Sequence, residues 1–191
     1  MPRAGLDRAA VTSLALDVVD ADGWQGLTLA AVAGRANVAV PSLYKHVAGL
    51  PGLRVDVAAA CVDELTAALA AALATDHGPL VGAAALRTMA AATRDFAKAQ
   101  PGRYLATQGD WASDPAGEEV RRAGAATVEL LARAVAQLDV PAEHHIDAVR
   151  AIRAGVHGFV MLELDGGFGM PDDVEASFAY LVDRLVAGIE R

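Results

Sequence analysis

The chain has 191 residues, of which 54% are hydrophobic but only 5% aromatic, and this low aromatic content disfavours a β-sandwich or a β-barrel. A single cysteine, Cys61, excludes an internal disulfide and fits a reducing, cytoplasmic setting. The net charge of −8 disfavours loose binding to nucleic acid, but residues 1–50 hold four basic and four acidic residues. All the excess acidity therefore lies in residues 51–191.

The most apolar stretch of the chain, residues 65–86, is interrupted by the turn-forming residues 76–79. No run of about 20 apolar residues occurs, so we predict no membrane span and no membrane partner. The first residues also lack the apolar core of a signal peptide.

Two short helices are predicted first. Apolar residues recur with helical spacing over residues 7–22, with Asp7 as a plausible N-cap and Gly23 as the stop. Thr28 is the predicted N-cap of a second helix that ends near residue 36. Asn37 follows in the turn, since asparagine tolerates the left-handed conformation.

A third, short helix is predicted to have Pro41 in its first turn and to end near Val47. Gly49, Pro51 and Gly52 interrupt the pattern, and Pro51 can open the next helix. A short or irregular stretch is expected over residues 103–113, which gives about nine helices in total and an all-α fold. The other helices are predicted at about residues 53–74, 80–99, 114–138, 141–164 and 172–189.

Residues 28–47 therefore have the pattern of a helix-turn-helix, which places its second helix in a DNA groove. The predicted third helix has an unusually polar surface, and five apolar positions can pack the two helices together: Leu29, Val32, Ala33, Val38 and Leu43. The polar set is Ser42, Tyr44, Lys45 and His46. A plain helical hairpin is the alternative interpretation.

Residues 6 to about 60 resemble the DNA-binding domain of the TetR family of transcriptional regulators. The resemblance is carried by the order of short motifs at residues 22–23, 26–29, 32–33, 36–38 and 41–47, and Leu43-Tyr44-x-His46 is the most specific of them. The pair His157-Gly158 is similar to one subgroup of TetR regulatory domains. The resemblance implies a DNA-binding domain over residues 1–50 and a ligand-binding and dimerisation domain over residues 51–191.

In this family, the matching positions bind DNA. Thr28 and Tyr44 would contact phosphate, His46 would do so or pack beneath its helix, and Lys45 would reach the backbone or a base edge. Ser42 and Lys45 alone can donate to bases in the groove, so we expect specificity to rely on methyl contacts and DNA shape. The implied DNA-binding set is Thr28, Arg35, Ala39, Val40, Pro41, Ser42, Tyr44, Lys45, His46 and Arg54.

Two departures from the family pattern weaken the expected phosphate contacts. Ala39 stands where a serine or threonine usually caps the third helix, and this removes a capping oxygen worth roughly 0.5–2 kcal/mol. Leu50 stands where a lysine usually contacts phosphate, and Arg54, one turn later, can substitute for it. We expect modest affinity for DNA and a shallow dependence on salt.

In residues 51–191 the bulky side chains either fill the core or line a cavity for an apolar effector, and the sequence leaves both open. The candidate ligand-binding residues are Met89, Phe96, Tyr104, Trp111, His157 and Met161. The last two long helices carry apolar stripes that would be exposed in a monomer, which predicts a homodimer. The candidate interface residues are Ile152, Val156, Phe159, Phe178, Leu181, Val182, Leu185 and Ile189.

The resemblance implies a ligand-responsive regulator, a repressor that binds a palindromic operator as a homodimer and is released by a small, largely apolar molecule. The alternative is a helical-bundle binding protein, or an enzyme, with a vestigial DNA-binding head. We expect no catalytic residue, no metal and no cofactor, because no motif spacing for them occurs. Adjacent His144 and His145 point about 100° apart on a helix, and Cys61 is more consistent with core packing than with a reactive thiol.

Overall fold

A computed structural model describes residues 6–109, 111 and 117–189. These residues form helices and connections with no strand among them, which confirms the all-α fold. No helix in these ranges is both long and apolar enough to cross a membrane. The α-helices are α1 (Arg8–Asp22), α2 (Leu29–Ala36), α3 (Gly49–Leu73), α4 (Gly82–Ala99), α5 (Pro101–Ala106), α6 (Glu118–Val135), α7 (His145–Leu164) and α8 (Val174–Ile189), and 3₁₀-helices occur at Trp24–Gly26, Val40–Lys45 and Ala142–His144.

The chain divides into two compact units. The first comprises the described parts of residues 1–64 and 100–124, and the second comprises residues 65–99 and the described part of 125–191. Helices α3 and α6 each contribute residues to both units.

The helix ends near the N-terminus confirm the predicted caps. The Asp7 carboxylate accepts the backbone N–H of Ala10 at 2.8 Å, and the Thr28 hydroxyl oxygen accepts that of Ala31 at 3.1 Å. Gly23 ends α1 with φ of 74°. Asn37 ends α2 in the left-handed conformation, with φ of 53° and ψ of 46°. These contacts satisfy donors and acceptors that helix ends leave unpaired.

Other boundaries differ from the predicted ones. Helix α3 begins at Gly49 rather than near residue 53, because Pro51 lies in the first turn, where a missing N–H costs nothing. Pro101 begins helix α5 instead of only ending α4. Helix α4 begins at Gly82, two residues after the predicted start at residue 80, because the Leu80 N–H donates to the Leu73 carbonyl at 2.9 Å. The predicted helix start at residues 114–115 lies outside the described residues.

The core of the first unit joins α1, α2, α3 and the Val40–Lys45 segment. Helix α5 packs on α1 at Gly102, where an added Cβ would lie 2.5 Å from the Val19 carbonyl oxygen. Beside this contact, Arg103 donates to Asp20 of α1 and to Glu64 of α3 at 2.6–2.8 Å. The fully buried members of the core include Val11, Ala15, Val18, Leu27, Val32, Leu43, Leu53, Val57 and Cys61.

Cys61 belongs to this core, as the sequence suggested, and has no exposed surface. Burial, together with the nearby Glu64 carboxylate, raises the pKa of its thiol to about 12. We expect native Cys61 to react with a thiol reagent at pH 8 on the order of 100-fold more slowly than in the urea-unfolded chain, because the thiolate is the reactive form. Absorbance of released thionitrobenzoate measures the rate, and equal rates in both states would contradict this burial.

In the second unit, α7 packs along α8, and α4 packs on both. Gly155 permits the close approach of α7 to α8, since an added Cβ would lie 2.5 Å from Leu185 Cδ1. The apolar stripes of α7 and α8 therefore face the interior of this unit. This corrects the expectation that the stripes would be exposed in a monomer, because four of the eight candidate interface residues are at most 5% exposed: Ile152, Val156, Phe178 and Val182.

A buried charge cluster joins the same three helices. Arg94 of α4 is 4% exposed and donates from Nε and Nη2 to the Glu163 carboxylate of α7 at 2.7 and 2.8 Å. Its Nη1 donates to Glu175 of α8. The guanidinium carbon also lies 4.8 Å from the centroid of the Phe178 ring. The hydrogen bonds to Arg94 hold the pKa of Glu163 below its usual value.

Candidate DNA-binding segment and ligand cavity

Residues Val40–Lys45, where the sequence predicts a short third helix, form a 3₁₀-helix. Its hydrogen bonds include Ser42 N–H to the Ala39 carbonyl at 2.9 Å and His46 N–H to the Leu43 carbonyl at 2.8 Å. Ala39 provides no side-chain cap, as the sequence predicted. A 3₁₀-helix of this length has poorer hydrogen-bond geometry than an α-helix, so packing must hold it in place.

Leu43 supplies that packing. It is fully buried in the core of the first unit, together with Val32 of α2 and Leu53 of α3. The next residue, Tyr44, is 61% exposed, and Lys45 is exposed as well. The segment is therefore fixed by Leu43, with the half-buried Val40 packed against the same core, and it presents Tyr44 and Lys45 to solvent.

The remaining candidate DNA contacts of the first unit also lie at its surface. Thr28, Arg35, Ala39 and Pro41 are exposed, whereas Val40, Ser42 and His46 are half-buried. The oxygen of Thr28 already accepts the Ala31 N–H, so its hydroxyl hydrogen remains the group that can be donated to an anion. Thr28, Arg35 and His46 can together offer hydroxyl, guanidinium and imidazole groups to a phosphate-rich partner.

Arg54 has a contact that the sequence did not predict. Its guanidinium carbon lies 5.6 Å from the centroid of the Trp24 ring, within the range of a cation–π interaction. Its Nε is buried and has no hydrogen-bond partner. Only its terminal nitrogens can therefore reach an external anion. No local signal pairs these residues, which lie 30 positions apart in the chain.

The positive charge that the first unit can offer to DNA is smaller than the four basic residues of positions 1–50 suggest. Arg8 donates to Asp56 of α3 and to Glu119 of α6, so its positive charge is compensated within the unit. The pKa of Arg8 is raised by the Asp56 hydrogen bond. Arg35 and Lys45 are the cations among the candidate DNA contacts of residues 28–47.

The six candidate ligand-binding residues fall in different places. Tyr104 and Trp111 belong to the first unit, where Trp111 packs beside Val120 and its buried indole nitrogen has no hydrogen-bond partner. The other four belong to the second unit: Met89 is buried, and Phe96, His157 and Met161 are half-buried. Burial and the nearby Arg153 lower the pKa of His157.

The second unit contains a cavity of about 300 Å³, the α3–α4–α6 cavity. Its walls come from the end of α3, the connection to α4, the first turn of α4 and the end of α6, and they include Leu73, Leu80, Ala85, Leu130 and Ala134. None of the six residues that the sequence suggested lines this cavity. The sequence missed it because its walls are short aliphatic side chains rather than bulky ones.

Among residues 6–109, 111 and 117–189, no three histidine, cysteine, aspartate or glutamate side chains form a group that could hold a metal ion. His144 and His145 point to different partners: His144 Nδ1 lies 3.4 Å from Asp147, and His145 Nε2 lies 3.1 Å from the Val140 carbonyl. This agrees with the different directions predicted for adjacent helical side chains.

Comparison with known proteins finds a family model and relatives that match this chain. Residues 86–185 match a family model described as tetracyclin repressor-like, C-terminal domain. An uncharacterised HTH-type transcriptional regulator of Mycobacterium tuberculosis is 35% identical over 195 residues, which cover 98% of this chain and 84% of that protein.

Solved structures share the fold along the whole chain. A protein of unknown function from Rhodococcus sp. RHA1 has a TM-score of 0.81 at 23% identity and covers 100% of both chains. A TetR variant from Acinetobacter baumannii AYE in complex with minocycline has a TM-score of 0.71 at 24% identity and covers 98% of each chain. At these identities the likeness shows the fold alone.

Proposed function

Because this chain belongs to the TetR family of helix-turn-helix transcriptional regulators, we propose that it is a ligand-responsive repressor. In this proposal it binds a palindromic operator as a homodimer in the cytoplasm, and a small, largely apolar molecule releases it. Residues 1–50 form the DNA-binding domain, and residues 51–191 form the ligand-binding and dimerisation domain. The observation that carries the proposal is the 3₁₀ segment that buries Leu43 and exposes Tyr44 and Lys45.

In the proposed complex, the exposed side chains divide between phosphate contacts and the groove. Thr28, Tyr44 and His46 donate to phosphates, and Arg35 and Arg54 add positive charge. Lys45 is placed to reach a phosphate or a guanine edge. The small side chains of Ala39, Val40, Pro41 and Ser42 allow close approach to the groove floor and to thymine methyl groups.

The proposed dimer uses the outer surface of α7 and α8. Four candidate interface residues are half-buried, so part of each remains available to a partner: Phe159, Leu181, Leu185 and Ile189. Exposed apolar side chains on the same helices add to them, namely Leu162 at 53% and Tyr180 at 69% exposed. A two-fold dimer whose DNA-binding domains lie about 34–36 Å apart would bind two half-sites one helical turn apart.

Release by a ligand follows from linkage. A molecule that binds the DNA-free arrangement more tightly lowers the affinity for DNA, and DNA lowers the affinity for that molecule by the same factor. The minocycline complex of the Acinetobacter protein supports small-molecule binding by a protein of this fold. The effector of this chain need not resemble minocycline.

Substitutions at two exposed positions test the DNA contacts. We expect Tyr44→Phe to weaken binding to DNA from upstream of the chain's own gene by about tenfold, because a hydrogen bond to a charged group is worth about 1.5–3 kcal/mol. Lys45→Ala should weaken binding to all sequences and reduce the salt slope of log K by about one. Fluorescence anisotropy with a labelled duplex measures both effects.

Arg150→Ala is the control, since Arg150 is an exposed cation on α7 whose side chain is 77% exposed. It should leave the affinity for DNA within about twofold of the unsubstituted chain. If Arg150→Ala weakens binding as much as Lys45→Ala, general electrostatic attraction rather than residues 28–47 accounts for the binding. Binding that neither Tyr44→Phe nor Lys45→Ala changes would favour a vestigial DNA-binding head.

A further inference from the structure

We propose that the α3–α4–α6 cavity is the effector site and that it takes an aliphatic chain of about eight carbons ending in a single anionic group. This inference rests on the proposed ligand response of the chain. It adds a location, which none of the ligand-binding residues suggested by the sequence lines, and it adds a chemical class for the effector. Three features of the cavity carry it: its size, its lining and the position of one arginine.

The size limits the ligand to a small molecule. The volume of about 300 Å³ lies at the lower end of the range of small-molecule sites. It is about twice the roughly 150 Å³ of an apolar cavity that accommodates benzene. A ligand of about ten heavy atoms therefore fits.

The lining selects an aliphatic molecule. Leu73, Leu80 and Leu130 contribute branched side chains, and Ala85 and Ala134 contribute methyl groups. No aromatic side chain is among the described residues that line the cavity, so a ring would find no stacking partner there. Burial of an alkyl chain among these groups is favourable by about 0.8 kcal/mol per CH₂.

The opening of the cavity carries exposed residues. Val81, in its wall, is 60% exposed although it is apolar, which leaves its side chain available to a ligand. Ala70 also lines the cavity and is exposed. The cavity is thus reachable from solvent, and a ligand can enter without unfolding the unit.

Arg133 places a positive charge in the wall of this cavity. Its side chain is 66% exposed, and its Nη1 lies 3.7 Å from Glu129 Oε1, which is longer than a hydrogen bond. A guanidinium held this loosely can turn to a carboxylate at the cavity mouth. The first turn of α4, which contributes Ala85, has no acidic side chain, and its N-terminal dipole adds to the preference for an anion.

The test uses octanoate and the neutral 1-octanol as probes of the full-length chain, with binding measured by isothermal titration calorimetry at pH 7. Octanoate should bind. Ala70→Trp should weaken it at least tenfold by filling the cavity from its exposed side, whereas Ala67→Trp, an exposed position one turn earlier on α3 that is outside the lining, should not.

The charge is tested separately. Arg133→Gln should weaken octanoate about fivefold and leave octanol unchanged, because only octanoate carries a charge. Arg122→Gln is the matched control, since Arg122 is an exposed arginine of the same helix whose Nη2 donates to Glu119 Oε1 at 3.5 Å and which does not line the cavity. Circular dichroism melting checks that each variant is folded, and Arg133→Gln keeps the test valid if Ala70→Trp does not fold.

The results distinguish this inference from the proposed regulator function. Absence of octanoate binding, or equal binding by Ala70→Trp and Ala67→Trp, overturns the site. An equal loss of octanoate and octanol in Arg133→Gln overturns the anionic class. DNA binding is measured in a separate experiment without ligand. If the chain binds DNA, and octanoate binds the chain without releasing the DNA, the effector role is overturned while the regulator function stands. If ligand-free DNA binding is absent, the regulator function itself fails.

Discussion

Replacement of Arg94 by methionine is expected to lower the free energy of unfolding by about 3 kcal/mol, because it removes the main partner of the largely buried Glu163 carboxylate. Lys98, whose Nζ lies 3.4 Å from Glu163 Oε1, is then the remaining cation beside that carboxylate. Arg94 is 4% exposed, and Glu163, which accepts two of its hydrogen bonds, has a side chain that is 17% exposed. Glu175 contributes less, since its side chain is 71% exposed. Methionine keeps most of the side-chain volume, so the loss of stability measures the effect of removing the guanidinium and its hydrogen bonds.

Urea denaturation followed by circular dichroism measures this loss. Arg87→Met is the matched control, because Arg87 also joins α4 to α8, through Asp183 at 2.7 Å, but both side chains are about half exposed. An exposed pair is worth at most about 1 kcal/mol. The double variant with Arg94→Met and Glu163→Gln should recover part of the loss, since the carboxylate that has lost its main partner is gone. Equal losses for Arg94→Met and Arg87→Met would contradict the buried cluster.

The cluster also sets the direction of the response to acid. Arg94 holds the pKa of Glu163 below its usual value. A depressed folded pKa stabilises the native state fully above the unfolded value of about 4.3, and that contribution is lost as the pH falls through the folded value. Arg94→Met should therefore flatten the acid limb of the stability curve in part, because Lys98 still lowers the pKa of Glu163.

The second large effect is expected for Leu43→Ala, which should cost about 3 kcal/mol of stability and at least tenfold in DNA affinity. Leu43 is fully buried, and substitutions of this kind cost about 2.7–5 kcal/mol. It anchors a 3₁₀-helix that lacks a side-chain cap, so its loss frees the segment that carries Tyr44 and Lys45.

Leu53→Ala separates stability from binding. Leu53 is also fully buried in the same core, but it lies on α3, outside the Val40–Lys45 segment. At a temperature where both variants are folded, Leu53→Ala should retain nearly full affinity for DNA, whereas Leu43→Ala should not. Anisotropy titrations of the two proteins at equal folded concentration decide this. The prediction is wrong if both bind DNA equally well.

Local chemistry made much of the first unit predictable. Asp7, Thr28 and Asn37 act on backbone groups within three or four residues of themselves, so a short window of sequence contains all the information about them. The 3₁₀ character of residues 40–45 was not predicted, because a stretch this short is compatible with either helix type. The early start of α3 at Gly49 was missed for a related reason, since proline both interrupts and begins helices.

Long-range contacts could not be predicted. Periodicity identified the apolar faces of α7 and α8, but it does not say what covers a face, so Ile152 and Phe178 were assigned to a dimer interface although both are buried within the chain. The sequence around Arg94 does not distinguish it from other arginines in helices, because its partners lie 69 and 81 residues away along the chain. The α3–α4–α6 cavity depends on where α3 and α6 end and where α4 begins, which no single segment encodes.

The central claim is that residues 28–47 bind operator DNA, and selection from a pool of random duplexes tests it most directly. The full-length chain should enrich one sequence with two half-sites related by a dyad, with centres about 10–10.5 base pairs apart, and with few invariant guanines. The double variant with Tyr44→Ala and Lys45→Ala should enrich nothing. Selection of the same sequence by this variant, or no enrichment by the unsubstituted chain, would contradict the claim.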